Sequence, residues 1–571
     1  MPSPGETVRA ALVAVLAAAT ASAQPAPFAF GGPSDDVAVA VDVAPDGAFA
    51  VGGETSGGYD PDPGPGDATV PNGGRTDGFA AVYGPDGAFR FAVPIGPPGP
   101  SAFDKVSDVA LGPSGELAVV GQAGRTVDLD PGPGVFEVGG GSPTVFLGVY
   151  GPEGAFRWGF AADFNVPPLG YAAFDEAGNV YLAVTVNEPV DLDPGPGEAV
   201  VDAGQGAALA SYTPDGAFRW GFALGGNQLL ARGVDAAGGR VALAAELVTG
   251  EIDMDPGPGE AIVDAGGIID WVAATYAADD GALLSAFAVG ASGPLGAVAD
   301  VALAPDGSLA LAGTVDRDAD FDPGPGEAVV PDTGGSDGTG VVAAYGPDEA
   351  FRFAHGFGAV RIRGVAVGPD RVVWTGFFGD TFDADPGPGV ATVEPVRAFD
   401  AVTVSLTASG VFEWASAVAG EGNGDNGLGV TLAGDRAVVA GRFSDTVDAD
   451  PGAGVVTLSS GSRFDSDVFV VAYDRNGGLA ARPTSGEDGP EGGLRVRVGP
   501  SPTAGPASVW VEGAGPVRVE VFDTLGRRVA ALHDGPALGR ALAVPALPPG
   551  AYLVRAADGP SVATARFVVA R

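Results

Sequence analysis

One short acidic loop recurs seven times in this chain and constrains its fold more than any other feature. It reads DFDPGPG at Asp320–Gly326 and DADPGPG at Asp383–Gly389, with close variants elsewhere. Successive copies stand roughly 65 residues apart, a spacing typical of repeat architectures. The seven aspartate pairs are Asp60/Asp62, Asp128/Asp130, Asp191/Asp193, Asp253/Asp255, Asp320/Asp322, Asp383/Asp385 and Asp448/Asp450.

Each unit also carries two hairpin patterns. DVALAPDGSLALAG at Asp300–Gly313 alternates apolar and small residues around a PDG turn, and DGFAAVYGPDGAFRFAV at Asp77–Val93 does the same after the acidic loop. Period-two alternation bounded by such turns indicates antiparallel strands. Four strands in each of seven units predict an all-β, seven-bladed β-propeller over residues 24–482. An open β-solenoid and two smaller propellers are the competing architectures.

The first residues of the repeat region predict how the ring closes. PFAFGG at Pro27–Gly32 resembles the last strand of a unit, whereas the seventh unit ends weakly at Gly477–Pro483. We therefore expect an N-terminal strand to complete the final blade.

Composition excludes several classes of site. The chain has no cysteine and two histidines, His355 and His533, so thiolate metal sites, cysteine nucleophiles and a Ser–His–Asp triad are disfavoured. The net charge is −43, and Lys105 is the single lysine. Nucleic acid is therefore not an expected partner, because phosphate binding requires clustered basic residues.

The acidic loop admits two interpretations. Aspartates at i and i+2 of an extended segment point to one side, and with nearby carbonyls they supply the oxygen ligands that Ca²⁺ prefers. On this interpretation all fourteen paired aspartates are candidate calcium ligands. The alternative is turn chemistry, in which the carboxylates accept backbone N–H groups.

Aromatic residues recur at one place in the unit, after the second hairpin turn. We interpret them as packing between blades. The recurring aromatic residues are Phe89, Phe156, Trp158, Phe218, Trp220, Phe351, Phe412 and Trp414. His355 lies beside this pattern, where other units have small residues, and is either a packing variant or the one residue that breaks the symmetry of the ring.

The N-terminus has the pattern of a secretory signal. Residues 1–23 combine Arg9, an apolar stretch from Ala10 to Thr20 and a small-residue ASA cleavage pattern, so Gln24 would begin the mature chain. That apolar stretch is too short for a permanent membrane helix, and no other segment has membrane length. We therefore expect an exported chain without a transmembrane segment.

The composition changes near the C-terminus. Residues 483–493 read as a linker, and residues 494–571 contain nine Arg against five Asp or Glu, so they form a basic segment in an acidic protein. About seven short strand patterns in this segment predict a small immunoglobulin-like β-sandwich.

The motifs of this segment resemble a known family. VGPSPTAG, VRVEVFDTLGRRV, LPPGAYLVRA and the terminal ARFVVAR are similar, in order, to the type A C-terminal sorting domain of the type IX secretion system. The matching residues are Asp523, Gly526, Arg527, Gly550, Tyr552 and Arg555, while Gly-Pro-Ser-Pro replaces the usual Tyr-Pro-Asn-Pro. The resemblance implies export by that machinery to the cell surface or medium. The repeats likewise resemble those of secreted DFDPGPG-repeat proteins, whose function is mostly unassigned.

Three functions are compatible with these features. The near-equivalence of the seven units favours a non-enzymatic binding or scaffold role, with polysaccharide or a surface protein as partner. A secreted glycan hydrolase or lyase with acidic residues in the propeller funnel is the alternative, because paired carboxylates hydrolyse glycosides when they face each other. A purely structural surface component is the third.

Overall fold

The computed structural model describes residues 26–479 and 495–569. The gaps in the first range are 65, 67, 72–75, 97–102, 125, 140–143, 164–169, 226–227, 291–295, 335–337, 423, 451, 453–454 and 461–464; those in the second are 500–507, 513–516, 524–526, 536–541, 546, 549 and 559–560. One compact unit spans Gln24–Ala481, and Arg482–Arg571 belongs to a second. The predicted signal sequence (1–23) and linker (483–493) lie outside the described residues.

Among the described residues of the large unit, seven sheets share one four-stranded antiparallel order. The strands of sheets 1 to 3 are β2 (Asp36–Val43), β3 (Phe49–Thr55), β4 (Asp77–Tyr83) and β5 (Phe89–Ile95); β6 (Lys105–Leu111), β7 (Leu117–Ala123), β10 (Thr144–Tyr150) and β11 (Phe156–Asp163); and β12 (Gly170–Phe174), β13 (Val180–Val186), β16 (Gly206–Tyr212) and β17 (Phe218–Gly225). Those of sheets 4 and 5 are β18 (Leu229–Ala237), β19 (Arg240–Asp253), β20 (Ile262–Ala277) and β21 (Leu283–Val289); and β22 (Val298–Leu303), β23 (Leu309–Val315), β26 (Thr339–Tyr345) and β27 (Phe351–Gly358). Those of sheets 6 and 7 are β28 (Val360–Val367), β29 (Arg371–Phe378), β32 (Asp400–Thr407) and β33 (Phe412–Gly420); and β34 (Asn426–Ala433), β35 (Arg436–Ser444), β38 (Ser466–Tyr473) and β1 (Phe28–Phe30).

The closing strand comes from the other end of the unit, as its sequence predicts. β1 pairs antiparallel with β38, with Phe28 opposite Val470 and Phe30 opposite Val468. Sheet 7 therefore has its fourth strand only because both ends of the unit meet.

The first strand of each sheet packs against the first strand of the next, and β34 of sheet 7 packs against β2 of sheet 1. The apolar side chains between each neighbouring pair of sheets form one core cluster, so the buried surface is divided among the junctions. Third strands such as β4 and β10 are buried along their whole length because both of their faces are covered. The all-β prediction is confirmed, and the arrangement of sheets is propeller-like.

The acidic loops form small hairpins between the second and third strands of a sheet. These are β8 (Val127–Asp128) with β9 (Glu137–Val138), β14 (Val190–Asp191) with β15 (Val200–Val201), β24 (Ala319–Asp320) with β25 (Val329–Val330), β30 (Phe382–Asp383) with β31 (Thr392–Val393), and β36 (Thr446–Asp448) with β37 (Thr457–Ser459). In sheet 1 the hairpin is reduced to a bridge between Tyr59 and Val70. In sheet 4 it continues directly from β19 into β20.

The described C-terminal residues form two further sheets. One contains β39 (Arg495–Gly499), β40 (Ser508–Glu512) and β43 (Leu542–Ala543), and the other contains β42 (Arg528–Gly535), β41 (Val517–Asp523), β44 (Gly550–Asp558) and β45 (Ser561–Val569). Their shared core contains Val509, Val519, Val521, Val544, Tyr552, Val554 and Ala556. Among the described residues of the whole chain, no helix has the length and apolar character needed to cross a membrane.

Candidate functional sites: the acidic loops and the central cavity

The first aspartate of every acidic loop caps its own hairpin. In the third copy, Oδ1 of Asp191 accepts hydrogen bonds from the backbone N–H groups of Asp193 at 3.0 Å and Ala199 at 2.8 Å. The same two bonds, to the residues two and eight positions later, recur at Asp60, Asp128, Asp253, Asp320, Asp383 and Asp448. This carboxylate therefore holds the two arms of the hairpin together.

The second aspartate explains the glycines of the motif. Oδ1 of Asp385 accepts the N–H of Gly387 at 2.7 Å, and a Cβ at Gly389 would lie 2.1 Å from Oδ2 of the same carboxylate. Both features recur, with nearly the same distances, at Asp62, Asp130, Asp193, Asp255 and Asp322. In the seventh copy, Asp450 accepts the N–H of Gly452 at 2.7 Å. A side chain at the last glycine would displace the carboxylate, so Asp and Gly are required together.

The residue between the two aspartates anchors the loop to its sheet. Leu192, Met254 and Phe321 are fully buried at this position. Their carbonyl oxygens accept hydrogen bonds from Tyr212, Tyr276 and Tyr345, the tyrosines near the ends of the third strands, at 2.9, 3.1 and 3.1 Å. Tyr83 bonds the carbonyl of Pro61 in the same way at 2.9 Å.

The hairpins also reach the outer strand of the preceding sheet. β36 pairs with β33, with Asp448 opposite Ala419, so that sheet 6 gains two strands from the seventh acidic loop. Asp320 forms a bridge with Gly290 at the end of β21. The loops therefore cover outer edge strands, which would otherwise expose unpaired backbone groups.

The fourteen predicted calcium ligands lie at the perimeter, as seven pairs in seven separate hairpins. These pairs are Asp60/Asp62, Asp128/Asp130, Asp191/Asp193, Asp253/Asp255, Asp320/Asp322, Asp383/Asp385 and Asp448/Asp450. Across the described ranges, no three His, Cys, Asp or Glu side chains lie close enough together to share a metal ion, so no pair is joined by a further acidic ligand there. The hydrogen bonds above are those expected from turn chemistry, and the calcium interpretation of these pairs stays a prediction.

The recurring aromatic residues lie between sheets. The Trp158 indole donates to the carbonyl of Pro214 at 3.0 Å, in the last turn of the next sheet, and Trp220 donates to Ala278 at 3.1 Å. These rings lie against glycines of positive φ, Gly216 and Gly281, where a Cβ would be within 3 Å of the indole. The position is therefore used for packing.

His355 takes part in the same junction. Its Nε2 lies 2.9 Å from the carbonyl oxygen of Gly410 in the last turn of sheet 6, and its ring stacks on Phe353 at a centroid distance of 4.9 Å. Burial lowers the pKa of His355. A half-buried histidine held between two sheets is a packing residue, so His355 does not form an open catalytic group.

A cavity of about 500 Å³ occupies the centre of the large unit, and the first strands of all seven sheets contribute to its wall. Four partly accessible aspartates line it, namely Asp42, Asp108, Asp235 and Asp300. Sequence reasoning did not single out these residues, because they belong to the first strand and not to the acidic motif.

Each cavity aspartate joins its sheet to the next one. Oδ2 of Asp42 accepts the backbone N–H of Leu111 at 2.7 Å, and Asp108 accepts that of Ala172 at 2.9 Å. Asp235 and Asp300 accept those of Leu303 and Val365, at 2.7 and 2.9 Å. These carboxylates therefore link the first strands of successive sheets.

Burial raises the pKa of these carboxyl groups despite their hydrogen bonds. The pKa of Asp42 rises to about 6, and those of Asp235 and Asp300 rise to about 7. The pKa of Asp108 rises well above its usual range, and the charges of Asp300 and Asp42 add to the effect of burial. Part of this set is therefore protonated near neutral pH.

The comparisons with known proteins leave the family open. No family model matches the chain, and no curated protein matches it. Among solved structures, Sqt1 from Chaetomium thermophilum is 12% identical, with 86% of this chain and 98% of that chain covered and a TM-score of 0.30.

Two other structural similarities are equally distant. The quinohemoprotein alcohol dehydrogenase from Comamonas testosteroni is 11% identical, with 84% of this chain and 79% of that chain covered and a TM-score of 0.33. A Bacteroides caccae protein of unknown function is 11% identical, with 49% and 89% covered and a TM-score of 0.23. At these TM-scores the similarities support no argument about function.

Proposed function

We propose that the large unit is a closed seven-bladed β-propeller that serves as a non-enzymatic binding or scaffold protein outside the cell. In this proposal the C-terminal unit is an immunoglobulin-like sorting domain that directs export by the type IX secretion system. Support for a closed ring comes from the packing of β34 against β2 and from the pairing of β1 with β38. An open solenoid would leave both strands at a free end.

One observation carries the non-enzymatic role. The residues that the repeat preserves are engaged in the fold itself, because the aspartates bond backbone N–H groups of their own loops and the tryptophans bond the next sheet. A catalytic pair of carboxylates would require one unit to differ from the other six, because a single reaction centre uses a single set of catalytic groups. The perimeter therefore suits a rigid body that displays its loops to a partner.

Binding is tested with the purified large unit on an array of surface polysaccharides. Retention of one glycan class, with no release of reducing ends from it, would support the binding role. Absence of retention on glycans and on isolated cell envelopes would leave the purely structural role instead.

Export is tested by fusing residues 483–571 to a folded reporter that also carries a secretory signal, in a bacterium that has the type IX machinery. We expect the reporter outside the cell, whereas a fusion truncated before the last strand should remain in the periplasm. Equal export of both fusions would contradict the sorting role.

A glycan hydrolase or lyase is the second candidate, and one observation favours it. The cavity gathers four carboxyl groups whose pKa burial raises, to about 6 for Asp42, to about 7 for Asp235 and Asp300, and well above its usual range for Asp108, as a general acid requires. Release of reducing ends from a polysaccharide, lost in Asp108→Asn and retained in the perimeter variant Asp385→Asn, would establish it and overturn the scaffold role.

A further inference from the structure

The junction where the ring closes contains two buried carboxylates from opposite ends of the large unit. Asp36 begins β2 in sheet 1 and is 1% exposed, while Asp467 lies near the start of β38 in sheet 7 and is 8% exposed. Gly31, which follows the closing strand, lies directly over both. A Cβ there would be 2.3 Å from Oδ1 of Asp467 and 2.9 Å from Oδ2 of Asp36. The two carboxylates therefore approach one point.

One oxygen of each of these carboxylates has no hydrogen-bond donor among the described residues. Asp36 Oδ2 accepts the N–H of Gly32 at 2.6 Å. Oδ1 of Asp36 and Oδ1 of Asp467 are both buried and have no donor among the described residues. A buried carboxylate oxygen without a donor is costly, so this site requires something that the described residues do not supply.

A third buried polar group lies near Asp36. Tyr59 is 3% exposed, and its hydroxyl also has no partner among the described residues. Burial raises the pKa of Tyr59, and the charges of Asp36 and Asp77 raise it further, so the hydroxyl lies within electrostatic reach of both carboxylates. A neutral hydroxyl oxygen without a described partner is therefore present near Asp36.

No positive side chain compensates this charge among the described residues. The neighbours that shift the pKa of Asp36, Asp467 and Tyr59 are acidic groups, hydroxyls and backbone amides, without an Arg, Lys or His. Asp35, a further carboxylate that influences Asp36, accepts hydrogen bonds from Ser466, whose backbone N and Oγ lie 3.0 and 3.1 Å from its Oδ1. Burial without a counter-charge raises the pKa of Asp36 to about 6 and that of Asp467 to about 7, and a bound cation would stabilise both groups in their charged form.

We propose that this junction, formed by Asp36, Asp467 and Tyr59, binds a hard divalent cation such as Ca²⁺. Oxygen ligands of mixed charge are those that Ca²⁺ takes, with backbone carbonyls and water completing the shell. The site has two carboxylates where tight calcium sites have more, so we expect a dissociation constant of about 0.1–1 mM, the range of extracellular calcium modules. It is distinct from the fourteen perimeter aspartates.

Such a cation would connect β2 to β38, next to the seam where β1 is held to β38 by hydrogen bonds. Two other junctions repeat the carboxylate pairing in part. Asp104 lies just before β6 and the charge of Asp77 raises its pKa, while Asp425 lies just before β34 and the charge of Asp400 raises its pKa. Asp104 and Asp425 each keep one buried oxygen that has no donor among the described residues. The proposal concerns the closing junction, where the carboxylates of Asp36 and Asp467 approach one point beside Gly31.

The test measures calcium-dependent stability and terbium luminescence on the full chain. Adding Ca²⁺ at about ten times its dissociation constant should raise the Tm by about 1–2 °C, because an ion that binds only the folded state stabilises it by mass action. Asp467→Asn should lose most of this increment. The matched perimeter variant Asp385→Asn should keep it. Tb³⁺ bound in the site should luminesce on excitation of Tyr59, and Tyr59→Phe should lose that component while retaining the fold.

The remaining outcomes overturn the proposal. An equal calcium increment in wild type and Asp467→Asn would place any bound calcium elsewhere, with the perimeter loops as the first candidates. Alternatively, Ca²⁺ could leave the Tm of the wild type unchanged, while acidification raises this Tm and Asp467→Asn abolishes that rise. This result would show that the two carboxylates share a proton instead of binding a cation. If Asp467→Asn does not fold, the terbium experiment still tests the site. Identical luminescence in wild type and Tyr59→Phe would show that no cation binds beside Tyr59.

Discussion

Two sets of aspartates in the large unit differ in the hydrogen bonds that they make. At the perimeter, two aspartates recur in each of the seven units, and their described hydrogen bonds tie each loop to itself, as at Asp191. Around the cavity, Asp42, Asp108, Asp235 and Asp300 stand on the first strands of sheets 1, 2, 4 and 5, and each reaches across to the next sheet, as Asp235 does to Leu303. The aspartates that every unit preserves thus tie a loop to itself, whereas the cavity aspartates, which join neighbouring sheets, are present in four of the seven units.

The first prediction sharpens this contrast through pH. Burial raises the folded-state pKa of Asp42, Asp235 and Asp300 to about 6 or 7, above the unfolded value. Their contribution to stability is complete at acidic pH and is lost as pH rises through the folded-state pKa. We expect the free energy of unfolding to fall by about 3 kcal/mol or more between pH about 5 and about 8, with these groups acting together.

Denaturant unfolding across that pH range measures the effect. Asp235→Asn should flatten the curve by about 1 kcal/mol, whereas Asp383→Asn at the perimeter should leave its slope unchanged. A constant stability from pH about 5 to about 8 would contradict the raised pKa values.

The second prediction removes one link between sheets. Asp235→Ala leaves the backbone N–H groups of Leu303 and Ala236 without their acceptor. At pH about 5 the loss should cost about 1–3 kcal/mol of unfolding free energy. The cost should shrink at pH about 8, because the substitution then also removes a buried charge. Asp235→Asn, which retains an acceptor oxygen, is the control. If Asp235→Ala cost the same unfolding free energy at pH about 5 and about 8, this would argue that the charged carboxylate is not buried.

The third prediction concerns the perimeter glycines. Gly389→Ala would place a Cβ where Oδ2 of Asp385 lies, so the carboxylate must move and its bond to Gly387 weakens. We expect a loss of about 1 kcal/mol, measured by thermal unfolding. Asp385→Ala in the same chain should make the glycine substitution harmless, and additive effects of the two changes would rule out the proposed coupling.

The smallest expected effect belongs to the perimeter carboxylate charge. Asp383→Asn keeps an oxygen that can accept both backbone N–H groups, so its cost should stay below about 0.5 kcal/mol. In calcium-free buffer this value is measured directly. A much larger loss that appears only when Ca²⁺ is present would favour a metal in the acidic loops.

The sequence predicted those parts of the fold that depend on local pattern. The two hairpins of each unit follow from alternation and PDG turns, and the closing strand follows from PFAFGG, whose Phe28 and Phe30 pair with β38. The packing of the recurring aromatic residues was also expected, and Trp158 and Trp220 bond the neighbouring sheet.

The remaining features depend on contacts between units, which one unit's pattern does not encode. The pairing of β36 with β33 joins the acidic loop of one sheet to the edge of another. The cavity aspartates also occupy two different positions along the first strand, relative to its bulge. Asp108 comes directly after the bulge at Ser107, whereas Asp42 lies further beyond the bulge of β2, which falls between Ala38 and Ala40. Because their positions shift from sheet to sheet, aligning the units does not reveal them as one group.

The closing strand has a consequence for how this protein acquires its structure. Asp35, just after that strand, bonds Ser466, which lies 431 residues further along the chain. The seventh sheet therefore stays incomplete until almost the whole unit has been synthesised, and a chain cut short anywhere before β38 has no partner for its first strand. The entropic cost of pairing β1 with β38 is only slightly higher than that of pairing strands closer in sequence, since the cost of loop closure grows with the logarithm of loop length. β1, which stands first in the unit, can therefore pair only when β38, the last strand of the unit, is available.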